Sequence, residues 1–281
     1  MFTDTHCHLS IMKKRGIDIK TFFADFLKIE EGCADSFLID IGTKSEDLHE
    51  RIKLCDYAKE IAENCDFLKF SAGIWPSKKE VENRFDEIEK LKKVIEQFSL
   101  HGRKELCAIG ECGFDRRENP LELGKKHLSN EEELFSMQIE IAKKNNLSLI
   151  VHSRDAFAET YGVIKNGKHD KVVIHCFSYD KKSLKLFLDL GCYISFSGAI
   201  TYGNKTQKEI NCELLRYMPK DMILLETDAP YLAPMPLRGT INTPLLIKHT
   251  YQFVAKSINV SDNSLAEIIK DNANKFFNIK S

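Results

Sequence analysis

The chain has 281 residues, with 41 basic and 42 acidic side chains and a formal net charge of −1. That length suits a single domain over residues 1–281, such as an α/β barrel of about 250 residues. The near-neutral balance excludes a global basic field that would grip nucleic acid along a long footprint. The first predicted strand, opening at Phe2, ends in the pair His6 and His8. Alternate side chains of a strand share a face, so both imidazoles can reach one metal ion. Ile17 to Ile29 has helical spacing through Ile19, Phe22, Phe23 and Phe26. Phe37 to Gly42 reads as the second strand, and Thr43 with Glu46 forms a capping box for the next helix. Phe67 to Ile74 is the third strand, followed by a long charged amphipathic helix from about Lys78 to Phe98.

Leu106 to Glu111 is the fourth strand, and Ser129 with Glu132 caps a helix that runs to Asn146. Leu147 to His152 is the fifth, with Asp155 as the cap of the helix after it. Val172 to His175 is the sixth, with a helix around Ser183 to Leu190. Tyr193 to Ser197 is the seventh, followed by a helix near Lys205 to Tyr217. Met222 to Asp228 is the eighth. Two helices, roughly Pro244 to Lys256 and Ser264 to Phe277, complete the pattern.

Short apolar strands separated by helices indicate parallel βαβ units, because parallel strands need helical crossovers. Eight of them over this length predict a TIM (β/α)8 barrel with C-terminal helices, whose active site lies where strands end and βα loops begin. A doubly wound open sheet would need a Gly-rich phosphate turn after the first strand, and none is there. No apolar run reaches the roughly 18 residues of a membrane span, and Met1 leads straight into the first strand, leaving no room for a targeting segment. The nine cysteines (Cys7, Cys33, Cys55, Cys65, Cys107, Cys112, Cys176, Cys192, Cys212) are scattered, odd in number and free of any Cys-x-x-Cys. Reduced thiols in a cytoplasmic protein, away from membranes and monomeric or weakly oligomeric, are therefore expected.

Five strand ends finish in ligand-type residues: His6 with His8, Glu111, His152, His175 and Asp228. The barrel rule brings them into one mouth. Four imidazoles and two carboxylates are too many for one zinc-type catalytic ion, which usually takes three protein ligands, and they suit two ions. A carboxylate can bridge a metal pair, and mid-chain Glu111 is the natural bridge. The mixed nitrogen and oxygen set accepts Mg2+, Mn2+ or Zn2+ to differing extents. A divalent ion lowers the pKa of a water it holds toward ~7, which fits hydrolysis of an ester, amide or phosphodiester. Asp228 is placed to touch a metal and to take the proton of that water. Glu226 faces the same way as Asp228 and is expected to orient a ligand. Cys7, Cys112 and Cys176 point to the opposite strand face and are expected to pack. His49, His101, His127, His169 and His249 are read as structural or surface histidines.

These segments carry a signature. Thr3 to Leu9, Gly110 to Asp115, Val151 to Ala156, His175 to Ser178 and Glu226 to Pro234, in this order, resemble the TatD family of metal-dependent deoxyribonucleases, within the wider amidohydrolase-like hydrolases. The resemblance implies a TIM barrel, two divalent ions and hydrolysis of DNA, often as a 3′-to-5′ exonuclease that prefers single-stranded ends. It implies that His6 and His8 hold one ion with Glu111 bridging, that His152 and His175 hold the other, and that Asp228 is ligand and general base. Arg154 is expected to contact a phosphate through its planar fork.

The chain departs from the family's pattern at three places. Trp75 stands where Gly-Ile-His-Pro is common, trading a proton donor in the substrate pocket for an aromatic face on which a base can stack. Arg116, with Arg117, replaces the end of Gly-Leu-Asp-Tyr and is expected to add a phosphate-binding patch. The segment Arg238 to Pro244 loses a Lys and a Glu of the pattern. Hydrolysis of a small ester, lactone, amide or phosphoester is the alternative function; relatives of that kind often bridge their metals with a carboxylated lysine, where this chain has Glu111. A metal-binding scaffold without activity is the third reading, motivated by Trp75 and Thr243.

Overall fold

Eight parallel strands pair in chain order: β1 (Asp4–Cys7), β2 (Leu38–Asp40), β3 (Leu68–Ala72), β4 (Leu106–Asp115), β5 (Ser148–Arg154), β6 (Val172–Ile174), β7 (Tyr193–Phe196) and β8 (Ile223–Leu225). The structure is a computed structural model that describes residues 2–29, 36–62, 66–100 and 103–279. The last strand returns to the first through a parallel bridge between Cys7 and Ala229. There Asp228 N donates to His6 O and His8 N donates to Ala229 O, both at 2.8 Å. The result is a nearly closed TIM barrel, as the strand and helix pattern predicts.

Helices on the outside make the crossovers: α1 (Leu9–Lys14), α2 (Ile19–Ile29), α3 (Leu48–Ile61), α4 (Lys78–Glu82), α5 (Arg84–Leu100), α6 (Lys125–Asn145), α7 (Phe157–Gly167), α8 (Lys181–Asp189) and α9 (Lys205–Tyr217). After β8 come α10 (Ile247–Ser257) and α11 (Asp262–Phe277). α2 shows how the helical layer is held. Phe23 and Phe26 each meet Phe67 at 5.4 Å between ring centroids, the first edge-on and the second stacked. At the other end α11 lays Phe276 against Tyr193 at 4.8 Å, and Ser148 Oγ donates to Phe276 O.

Strand alternation divides the apolar residues into two clusters. Leu149 and Val151, Val172 and Ile174, and Ile223 and Leu225 join the large cluster toward the helices. Ile150, Val173 and Leu224 join Ile39 and Ala108 in a smaller one that α11 closes. Two residues beyond each of Ile150, Val173 and Leu224 stand His152, His175 and Glu226. The period of a strand therefore places polar groups directly above an apolar layer.

Several local expectations give way to tertiary contacts. α1 was not read from the sequence. The long helix after β3 breaks at Asn83 into α4 and α5. No Thr43–Glu46 box forms, because the Asp47 carboxylate accepts the Thr43 and Lys44 N–H groups and α3 starts at Leu48. α6 starts at Lys125, so Ser129 lies inside it. Asp155 adopts a left-handed φ of 55° and leaves α7 without a side-chain cap. β4 runs four residues past Glu111, to Asp115. The described cysteines are free, with Cys33, Cys65 and His101 outside the described residues. Among the described residues no helix is long and apolar enough to cross a membrane.

Candidate metal centre

The six residues singled out by type meet at the C-terminal mouth of the barrel. His6 and His8, on and just after β1, bring their Nε2 atoms within 3.3 Å of each other. Each lies 3.6 Å from Glu111 Oε2, and 3.7 and 3.4 Å respectively from Asp228 Oδ1. On the other side, Glu111 Oε1 lies 2.7 Å from His152 Nδ1 and 3.1 Å from His175 Nε2. One carboxylate thus faces two pairs of imidazoles, one pair to each oxygen. Three groups of donor atoms fall within 4.8 Å of one another: His6, His175 and Asp228; His6, His8 and Glu111; Glu111, His152 and His175.

The backbone that aims Glu111 is irregular for a reason. The β4–β5 register slips between Ile109 and Cys112, so β4 carries an extra residue there. Such a bulge re-aims the side chains beyond it. Cys112 and Phe114 then join the cluster toward the helices, as Ile109 does, while Glu111 and Asp115 turn inward. Gly113 has a φ of +133°, and a Cβ there would stand 2.1 Å from His152 O. Only glycine permits that approach of the two strands.

Partners beyond the six hold the rings. His152 Nε2 lies 2.9 Å from Asp115 Oδ2, and His175 Nδ1 lies 3.4 Å from Glu226 Oε1. Glu226 is fully buried; its carboxylate also accepts from Cys176 N at 2.7 Å and Ser195 Oγ at 2.6 Å. The His6 ring stacks on His175 at 4.0 Å with 8° between planes. Asp115 was missed from the sequence. Its signal was available, since it follows Glu111 at the i, i+4 spacing of one strand face.

Burial opposes charge throughout this cluster, and the partners decide the outcome. Burial would raise the Glu111 carboxyl, but His175, His152 and His6 outweigh it and hold it well below the carboxylate range. Burial would likewise raise Asp228, and His8 and His6 hold it down. His175 is pushed well up by Glu111 and Glu226 against its burial. His6, buried beside His175, is pushed down. Anionic carboxylates among closely packed ring nitrogens are the donor chemistry of a divalent cation site. The residues present fit such ions: the imidazoles offer ring nitrogens toward shared carboxylate oxygens, as ligands must.

The TatD related DNase family model matches residues 3–278. The chain belongs to the TatD family of metal-dependent hydrolases. It is 31% identical to the uncharacterized metal-dependent hydrolase YcfH of Escherichia coli K12, over 98% of this chain and 95% of that one. It is 30% identical to the uncharacterized metal-dependent hydrolase MG009 of Mycoplasma genitalium, over 98% of each. The fold is that of YJJV, the TatD homolog of Escherichia coli K12, with a TM-score of 0.78 at 23% identity, covering 99% of this chain and 98% of that one. A TatD family hydrolase of Entamoeba histolytica gives 0.80 at 16% identity, covering 98% and 97%.

In this TatD chain the residues expected to meet substrate separate. Trp75 is half-buried at the mouth, its ring edge-on to His152 at 5.8 Å. Arg154 is exposed, 3.7 Å from Asp115 Oδ2, so its charge borders the centre. Arg116 is placed otherwise. Its guanidinium donates to Asn119 O at 2.7 Å and Glu131 Oε2 at 3.0 Å and lies 3.5 Å from Glu159, nearly out of solvent. Those carboxylates already hold it, so it shapes the loop after β4. Glu226 has no surface to offer a substrate; its contacts are those of a residue that orients His175. Cys176 is half-buried with Sγ 3.3 Å from Ser197 Oγ, where packing alone was expected.

Proposed function

We propose that this TatD chain is a two-metal phosphodiesterase acting on DNA, as an exonuclease on single-stranded 3′ ends. The observation that carries the reading is the Glu111 carboxylate, whose two oxygens each face a separate imidazole pair. We assign His6, His8 and Asp228 to one ion, His152 and His175 to the other, and Glu111 to both, with Mg2+, Mn2+ or Zn2+ as candidates. Such ions, when bound, supply an activated water and stabilise attacking and leaving oxygens.

The chain's own residues do the rest. Asp228, kept anionic by His8 and His6, takes the proton of the attacking water at its carboxylate. Asp115 and Glu226 fix the rings of His152 and His175 from behind. Arg154 meets a substrate phosphate at the β5 side, and Trp75 offers an aromatic face beside His152 for the terminal base. Action in a reducing compartment such as the cytoplasm agrees with the free cysteines.

The test is cleavage of end-labelled single-stranded DNA and RNA with Mg2+ or Mn2+, beside a chelator control and Glu111→Ala. Stepwise shortening of DNA that disappears in both controls is expected. DNA left intact by a metal-loaded protein that still hydrolyses small esters would favour the small-molecule reading. A metal-loaded protein inert on both would be the scaffold.

A further inference from the structure

We infer that Tyr231 and the Lys13–Lys14–Arg15 run form a second subsite for single-stranded polynucleotide, on the wall of the mouth away from Trp75. This subsite rests on the nuclease reading above and extends it from the scissile phosphate to the strand behind it.

The geometry starts at the metal centre and moves outward. The Tyr231 ring stands edge-on to His8 at 6.3 Å, and Tyr231 N donates to Asp228 O at 2.9 Å. The ring therefore neighbours one candidate ligand, and its backbone is tied to another. Yet the residue is 38% exposed, a large aromatic left open at a polar mouth. The Arg15 guanidinium lies 4.4 Å from the ring centroid. An arginine plane resting on an aromatic face leaves its other face for a nucleobase, while its N–H groups remain available to phosphate.

Charge supports the same occupant. α1 starts directly after His8, buries Leu9 and Met12, and leaves Lys13, Lys14 and Arg15 exposed at its far end. None of these three cations has a carboxylate within ion-pair distance among the described residues, whereas Arg84, Arg103 and Arg116 each do. In a chain of net charge −1, Arg15 against the Tyr231 ring and the two exposed lysines that precede it in sequence make a local positive field. β1 and β8 carry this wall, while Trp75 and Arg154 follow β3 and β5 around the barrel. A strand whose terminal phosphate sits over Glu111 would thus have aromatic and cationic support on both walls. A mononucleotide ester would use only the first.

The experiment measures binding of a fluorescent phosphorothioate dT10, which resists cleavage, to the full chain with Mg2+ over a salt series. The Lys13→Gln/Lys14→Gln/Arg15→Gln variant is expected to bind about tenfold more weakly, with a salt slope smaller by about 2, near −0.7 per lost phosphate contact. Lys53→Gln/Lys144→Gln/Lys256→Gln removes the same charge from exposed outer helix positions and should bind like wild type. Equal affinity and slope in the first variant, equal weakening in both, or no binding by wild type would each overturn the subsite. Binding that responds as expected while unmodified dT10 is never shortened would leave the subsite standing and remove the nuclease reading. Shortening of dT10 with binding unmoved by the first variant would do the reverse.

Discussion

Asp115 Oδ2 lies 2.9 Å from His152 Nε2, while Nδ1 of the same ring meets Glu111 Oε1 at 2.7 Å. The ring is held from both sides, so its Nδ1 is fixed toward the centre and its tautomer follows from Asp115. Asp115→Asn keeps the shape and removes the charge. Metal affinity is expected to fall roughly 10–100-fold, read from a Mn2+ titration against wild type. Affinity unchanged by the substitution would show that His152 needs no such partner.

At Gly113, β4 and β5 approach with no room for a side chain. A methyl group there would sit 2.1 Å from His152 O, and the φ of +133° disfavours any L side chain. Either β5 shifts, carrying His152 with it, or β4 unpairs. Gly113→Ala is expected to cost about 3 kcal/mol or more and to lower metal content with it. A variant that melts within about 2 °C of wild type would contradict this.

How much of this was legible is best seen strand by strand. His152 and His175 could be read because each follows a lumen-facing apolar residue by two positions, Ile150 and Val173. The same period reaches Glu226 from Leu224, whereas Asp228 has left the strand and turns in with a φ of 56°. Asp115 was passed over because the apolar run seems to end at Glu111, although β4 continues to Asp115 and keeps its period over those four residues. α1 was hidden by its brevity, six residues starting directly on a candidate ligand without a capping side chain. Arg116 was misread because its partners, Glu131 and Glu159, lie on α6 and α7, and no local pattern announces them.

Trp75 stands where the resemblance to the TatD pattern implies a histidine, and its ring stands edge-on to His152. If a terminal base stacks there, Trp75→Ala removes an interaction worth ~1–3 kcal/mol. The Michaelis constant for single-stranded DNA should rise by roughly tenfold, with metal affinity unchanged. A fall in metal affinity of the same size would instead assign Trp75 to the support of His152.

Stability should carry a pH signature from α6. The Glu131 carboxyl is raised from 4.5 to about 7 by its burial, which Arg116 opposes and Glu159 reinforces. The folded state therefore holds this proton more tightly than the unfolded chain. Its contribution is complete below about pH 4.5 and is lost as pH rises through about 7. Glu131→Gln is neutral at every pH and removes that slope. Between pH 5 and pH 8, wild type should lose roughly 2–3 kcal/mol more than the variant in urea unfolding. Parallel pH profiles would mean that Arg116 holds Glu131 ionised throughout, and that the pair is an ordinary ion pair despite its burial.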